Sequence, residues 1–179
     1  SLGNIAGASL YMAEDNSDIR VINISLGRPW MGPITAHAEA FQHIKDSLNV
    51  TVVVAAGNGN VSDPGPGISF SNLTDYYYPA SYEDVIAVSS VGSYNKYGHV
   101  HDNNASVDWK DVHEQVIGVN EYNHQHNDSI DIVAPGYTVP VPRFLNGYIV
   151  GSGTSYASPI VAGTAALMYA AHPNITAER

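Results

Sequence analysis

Gly151-Ser152-Gly153-Thr154-Ser155-Tyr156-Ala157-Ser158-Pro159 runs without a break into the apolar, small-residue stretch Ile160 to Ala171. Two glycines in three positions let the backbone turn sharply, and Thr154 is expected to cap a helix rich in Ala, Val, Leu and Met. Ser155 then stands at a helix N-terminus, where unpaired backbone N–H groups and the positive end of the dipole stabilise developing negative charge. Two readings follow from this stretch alone: a residue of the cap, or a nucleophilic hydroxyl.

A second stretch bears on the choice. Thr51-Val52-Val53-Val54, followed by Ala55-Ala56-Gly57-Asn58-Gly59-Asn60, is a β-branched run of the length of a buried parallel strand that stops in small residues and an amide. Ligands of open α/β sheets bind at such strand ends. Asn58 reads either as a positioned hydrogen-bond donor or as a turn former.

Together with Val21-Ile22-Asn23-Ile24-Ser25-Leu26-Gly27 and Asp131-Ile132-Val133-Ala134-Pro135-Gly136, these stretches resemble the subtilisin-like serine peptidases. The serine motif of that family reads G-T-S-x-A-x-P-x-V-A-G, and Gly153 to Gly163 satisfies every fixed position. The resemblance implies an α/β fold, a three-layer sandwich with a mostly parallel sheet and helices on both faces, and a serine endopeptidase acting through an acyl-enzyme on Ser155. It implies Asn58 as the oxyanion donor, Ser25-Leu26-Gly27 as an edge to which substrate backbone adds, and Ala56, Gly57, Thr154 and the segment from Tyr77 to Ala80 as parts of the substrate cleft. The family order is Asp, His, Ser, and neither an Asp-Ser/Thr-Gly nor a His-Gly-Thr signature occurs in the chain. The catalytic Asp and His are therefore expected upstream of Ser1, the domain is expected to be cut at both ends, and the isolated fragment is expected to be inactive. The resemblance further implies secretion, a calcium ion as a structural option and no required cofactor, with the carbonyls of Ala80, Tyr82 and Val85 as a weak cation site.

Composition bounds the partners. The 179 residues are 44% hydrophobic and only 13% charged, enough for one domain, and the formal net charge of -10 argues against nucleic acid and anionic membranes. No apolar run reaches membrane-spanning length, and the start lacks a basic-then-apolar leader. There is no cysteine, hence no disulfide and no thiol chemistry. Asn-x-Ser/Thr occurs at Asn23, Asn49, Asn60, Asn72, Asn104, Asn127 and Asn174, either as glycan acceptors or as a by-product of an Asn- and Ser-rich composition. Asn23, inside an expected buried strand, is not a candidate acceptor.

Taken in order, residues 5 to 13 and 19 to 25 read as strands, and 34 to 48 as an amphipathic helix with Ile34, Ala38, Phe41, Ile44 and Leu48 on one face. Pro33 suits its first turn, and His37 and His43 fall on its polar or boundary surface. Residues 59 to 75 read as a surface loop and Val85 to Ser89 as a strand. Residues 98 to 129 depart from the family and carry His99, His101, Asp102, His113, His124, His126 and Asp128. They read as a His-rich insertion, either solvated or holding a metal such as zinc. Residues 130 to 136 and 144 to 150 are expected strands, the serine helix ends near His172-Pro173, and Asn174-Ile175-Thr176 looks like the start of another helix.

An α/β-hydrolase elbow, G-x-S-x-G, competes poorly, because Tyr156 and Ala157 follow Ser155 with no second glycine. The bulk of Tyr156 is expected to crowd the leaving-group side. The rival of another class is a pseudopeptidase or binding module that keeps the fold without the upstream pair. Expected partners are a peptide or protein substrate and the remainder of the same domain, or a second copy of the fragment.

Overall fold

The computed structural model describes residues 2–16, 18–29, 32–59, 76–94, 108–111, 123–124 and 127–178. Its elements are α1 (Leu2–Asp15), β1 (Val21–Ile24), β2 (Arg28–Pro29), α2 (Thr35–Asp46), β3 (Thr51–Ala55), β4 (Asn58–Gly59), β5 (Tyr77–Tyr78), β6 (Ile86–Tyr94), β7 (Asp108–Asp111), β8 (Asn123–His124), β9 (Ile132–Pro135), β10 (Val139–Pro142), β11 (Tyr148–Gly151) and α3 (Thr154–Ala171). The central sheet runs β1-β3-β6, and both β9 and β7 pair with β6. The β1–β3, β3–β6 and β6–β9 pairs are parallel, and only β7 joins antiparallel. The expected three-layer α/β architecture is what forms.

Alternation along the strands builds a core on each face. Ile22, Ile24, Val52, Val54 and Ala87 point to one side, where they meet Phe41 and Ile44 of α2 and Ala6 and Ala13 of α1. Val53 and Val88 point to the other, against Ala157 and Ala162 of α3. Every residue of β3 is buried, as a strand covered on both faces must be. This explains why its sequence is a continuous β-branched run rather than an alternating one.

Residues 5 to 13 are helical, not a strand. Ala6, Ser9 and Ala13 are buried on one face, with Ile5 and Leu10 beside them, a spacing of three and four residues that suits a helix lying on α2. The strand expected over 144–150 begins only at Tyr148, after a turn, and pairs antiparallel with Val139–Pro142, for which the sequence offered no reading. Proline is tolerated there because the ribbon has only two strands, so each has an outer edge that needs no donor. After α3, residues 174–178 form no helix; the Arg20 guanidinium donates to the carbonyl of Ile175 (3.2 Å), and Ala177 N–H donates to Asn49 Oδ1 (2.6 Å).

The amphipathic helix runs as expected, shortened to Thr35–Asp46, with Phe41 and Ile44 buried and His43 on the surface. At its last turn Lys45 donates to the carboxylate of Asp84, tying α2 to the loop before β6. That hydrogen bond, ahead of the carboxylate's charge, holds the Lys45 ammonium above its ordinary pKa. Removing the charge with Lys45→Met is expected to cost about 1 kcal/mol, as for a hydrogen-bonded, partly covered ion pair. Because the folded-state pKa is raised, the contribution is complete below the unfolded value near 10.4 and fades as pH rises through the folded one. Chemical unfolding of both proteins at pH 8 and pH 11 should show the gap narrowing at the higher pH.

The loop 60–75 and most of the His-rich stretch 98–129, including His99, His101, Asp102, His113 and His126, lie outside the described residues. The described parts of that stretch supply β7 to the central sheet and β8, which pairs with β4 at Asn58↔His124. Among the described residues no three His, Cys, Asp or Glu side chains are grouped to hold a metal ion. No helix among them is long and apolar enough to cross a membrane.

Candidate active site

The site forms where β1 and β3 end side by side. Their parallel register, Ile24↔Val54, sends Ser25–Gly27 and Ala56–Asn58 out of the same edge of the sheet as two adjacent rails. The N-terminus of α3 abuts both. Ser155 Oγ donates to the carbonyl of Ser25 (3.1 Å), and Ser25 Oγ donates to the carbonyl of Ser155 (3.1 Å).

The second of these bonds has a cause in the sequence. Pro159 lies inside α3, four residues after Ser155, and has no N–H to close the helical bond to the carbonyl of Ser155. That carbonyl is left for Ser25 Oγ. Ser25 Oγ in turn accepts from Asn23 Nδ2 (2.9 Å), and Asn23 Oδ1 accepts from Ser158 Oγ (2.6 Å). Asn23 is exposed, contrary to the expectation of a buried strand residue, but its amide is engaged on both sides. This chain of hydroxyls and amide ties the nucleophile's helix to β1.

Thr154 is not the helix cap. The cap is Gly153, at φ 140°, a conformation that L side chains rarely adopt, and Thr154 is the first helical residue. Thr154 is fully buried and satisfied from the opposite rail: its N–H and Oγ–H both donate to Asn58 Oδ1 (2.8 and 3.1 Å), while its Oγ1 accepts from Gly57 N–H (3.1 Å). Asn58 therefore supplies, from 96 residues away, the capping acceptor that the helix lacks locally. The same contact settles the amide orientation. With Oδ1 on the helix, Nδ2 lies beside Gly153, where a Cβ would come within 2.8 Å of it. Ser155's own N–H belongs to the first turn, which has no acceptor within the helix.

Gly136 closes the serine loop from behind. Its carbonyl accepts from Gly153 N–H (2.7 Å), its N–H donates to Val91 O (3.1 Å), and Ser152 Oγ accepts from Thr138 N–H (2.9 Å). Tyr156 does not crowd Ser155: its ring folds back over Gly151, where any Cβ would collide with it. His172 stands past the far end of α3, about 25 Å from Ser155 by helical rise, and no histidine among the described residues bonds to Ser155.

Leu26 is 53% exposed on its rail. Ala56 and Gly57 are buried in theirs, and Gly57 takes φ 109°. The segment Tyr77–Ala80 comes up between the rails, and β5 pairs with β2 at Arg28↔Tyr78 and Pro29↔Tyr77. Burial pushes the Tyr77 phenol above its ordinary pKa. Ala80, Tyr82 and Val85 have buried side chains; Ala80 lies inside the turn that Ser81 N–H closes on the Tyr77 carbonyl and Tyr82 N–H closes on the Pro79 carbonyl. Sequence reasoning missed Asn23, Ser158 and Pro159. Of these only Pro159 carries a local signal, its spacing of four from Ser155.

A hydroxyl at a helix N-terminus, with an amide nearby whose oxygen is engaged by the helix and whose nitrogen lies beside Gly153, at the C-terminal edge of a parallel sheet, is an arrangement able to support nucleophilic serine chemistry. A model of the subtilase family of S8 peptidases matches residues 2–179, and the chain belongs to that family. It is 32% identical over 168 residues to the thermophilic serine proteinase of Bacillus sp. (strain AK1), covering 94% of this chain and 32% of that protein. To subtilisin DY of Bacillus licheniformis it is 32% identical over 183 residues, covering 98% of this chain and 54% of that protein. The chain thus spans between a third and about half the length of these curated relatives. Among solved structures, MycP1 with its N-terminal propeptide removed superposes with a TM-score of 0.66 at 20% identity, covering 98% of this chain and 56% of that one. A cold adapted subtilisin-like serine proteinase superposes at 0.64 and 22% identity, covering 99% and 51%. At such identities the likeness is one of fold.

Proposed function

We propose that residues 1–179 are the serine-bearing part of a secreted endopeptidase that hydrolyses peptide bonds through an acyl-enzyme on Ser155. The observation that carries this reading is the joint placement of Ser155 and Asn58 on the N-terminus of α3. A base takes the proton of Ser155 Oγ as the oxygen attacks the scissile carbonyl. The resulting oxyanion is held by Asn58 Nδ2–H and the backbone N–H of Ser155, so charge appears where fixed donors already point. Collapse breaks the C–N bond as the base gives its proton to the leaving amine, and water, deprotonated by the same base, then attacks the acyl carbon and returns the proton to Ser155 Oγ as the acid leaves.

The base is a histidine oriented by an aspartate, and we place both in a segment preceding residue 1, which docks beside β1, an edge strand of the central sheet among the described residues. In its absence the carbonyl of Ser25 is the acceptor that Ser155 Oγ has among the described residues, and the isolated chain hydrolyses peptides negligibly. That uncovered edge would then let two copies associate. A calcium ion would be structural here; neutral backbone carbonyls at Ala80, Tyr82 and Val85 fit weak binding of a hard cation. The substrate is a peptide or protein, and neither nucleic acid nor membrane is a partner.

A fluorophosphonate tests this directly. The full natural polypeptide should be labelled rapidly and stoichiometrically at Ser155, and a chain of residues 1–179 should not. Rapid labelling of the short chain would overturn the external base, and a full polypeptide that resists labelling would make it a pseudopeptidase.

A further inference from the structure

We propose that the ring of Tyr77 fills the pocket for the substrate side chain next to the scissile bond and restricts that side chain to glycine or alanine size. The inference rests on the peptidase reading above.

The place of the pocket follows from the geometry of the rails. Gly27 lies two residues beyond the Ser25 carbonyl that receives Ser155 Oγ, and Gly57 directly precedes Asn58 and donates to Thr154. The interval between the two glycines therefore opens beside the reacting hydroxyl. An acyl group with its carbon on Ser155 Oγ and its oxygen toward Asn58 Nδ2 has its side chain directed into that interval.

Tyr77 already occupies it. A Cβ on Gly57 would lie 2.7 Å from Cγ of the ring, 2.8 Å from Cδ2 and 2.9 Å from Cδ1. A Cβ on Gly27 would lie 2.9 Å from Cδ1 and closer still to Cε1. The ring face rests on one glycine and its edge meets the other; Gly57 also takes φ 109°, and a Cβ on Gly27 would meet the Tyr78 carbonyl at 2.6 Å as well as the ring. A second aromatic or long aliphatic group cannot enter the same interval.

The ring is also held at its base. Tyr77 N–H donates to Ser81 Oγ (3.1 Å), Ser81 N–H donates back to the Tyr77 carbonyl (2.9 Å), and the residue pairs with Pro29 across β2–β5. Its neighbour Tyr78 is packed against Tyr82, with ring centroids 4.8 Å apart. These bonds fix the backbone from which the ring projects, and the two glycines flank the ring itself.

The test uses the full natural polypeptide and peptide anilides that differ only at the residue before the scissile bond. Wild type should prefer alanine to phenylalanine by about 100-fold or more in kcat/KM, the upper range that exclusion from an apolar pocket reaches. Tyr77→Ala should reverse the order, and Tyr77→Phe, which keeps the ring, should not. Equal cleavage of the two peptides by wild type, or a selectivity unchanged in Tyr77→Ala, would overturn the proposal.

A second arm needs no activity. Removing the ring leaves a ring-shaped space between two glycines, so p-cresol should raise the melting temperature of Tyr77→Ala, with Tyr77→Val as the variant if Ala does not fold, and leave wild type unmoved. An equal response of wild type and variant sinks the proposal. If no peptide is cleaved and no fluorophosphonate labels Ser155, the peptidase reading fails while the cresol arm still decides whether Tyr77 fills the interval.

Discussion

Exchanging Asn58 for aspartate in the full polypeptide is expected to lower kcat by about 10²–10³-fold, the range measured for the oxyanion-hole asparagine of a subtilisin rather than one calculated for this chain. The melting temperature should stay close to that of wild type. The two outcomes separate because the two ends of the Asn58 amide do different work. Oδ1 caps α3 by accepting from Thr154 N–H and Oγ–H, and a carboxylate oxygen keeps that role. A negative charge at a helix N-terminus is, if anything, favourable. In the proposed mechanism Nδ2 is the donor for the oxyanion, and aspartate both removes it and puts charge where charge develops.

Asn58→Ala removes both ends. It should match the loss of kcat and add about 0.5–2 kcal/mol of destabilisation from the missing cap. For a domain of this size that is a fall of roughly 2–4 °C in melting temperature per kcal/mol. Activity and thermal unfolding of the two variants, measured side by side, check the division. A full-activity Asn58→Asp protein would remove Asn58 from the oxyanion site and leave it only a cap.

The second large effect is on stability alone. Phe41→Ala should cost about 3–5 kcal/mol, the range for deleting a buried aromatic side chain. Phe41 is 1% exposed, its ring centroid lies 5.6 Å from that of Tyr82, and it belongs to the core that joins α1 and α2 to the sheet. Against a typical net stability of about 5–15 kcal/mol, such a loss is a large share of the total. Phe41→Leu, which keeps most of the volume, should cost less than about 1.5 kcal/mol. Urea midpoints at constant slope measure both, and a Phe41→Ala cost below about 1 kcal/mol would mean that the layer collapses into the space.

The elements that were legible in the sequence are those whose pattern is complete within one stretch. The Thr51–Ala55 run declares a strand buried on both faces, and the spacing of Ala38, Phe41 and Ile44 declares one apolar face of α2. Gly153 to Gly163 marks a turn into a helix before any fold is known. The misread elements are those whose pattern is ambiguous over a few residues. Ile5 to Ala13 is apolar enough for either element, and what makes it helical is the face of α2 that Ala6 and Ala13 cover. Val-Pro-Val-Pro carried no reading at all, since proline is unexpected in a strand until a partner leaves it an outer edge.

The chemistry divides along the same line. By itself the sequence determined the family and singled out Ser155 and Asn58 as the candidate pair, because serine, glycine, proline and asparagine at fixed spacing report local backbone requirements. Only the tertiary structure decided what those groups touch. Ser25 and Ser155 are 130 residues apart, Asn58 and Thr154 are 96 apart, and Tyr77 fits between Gly27 and Gly57 from a third segment. These contacts arise because parallel strands end on one edge of the sheet, which gathers their loops whatever the separation along the chain. The cap that Asn58 Oδ1 makes on α3, and the place beside Gly153 that this gives Nδ2, come from that gathering.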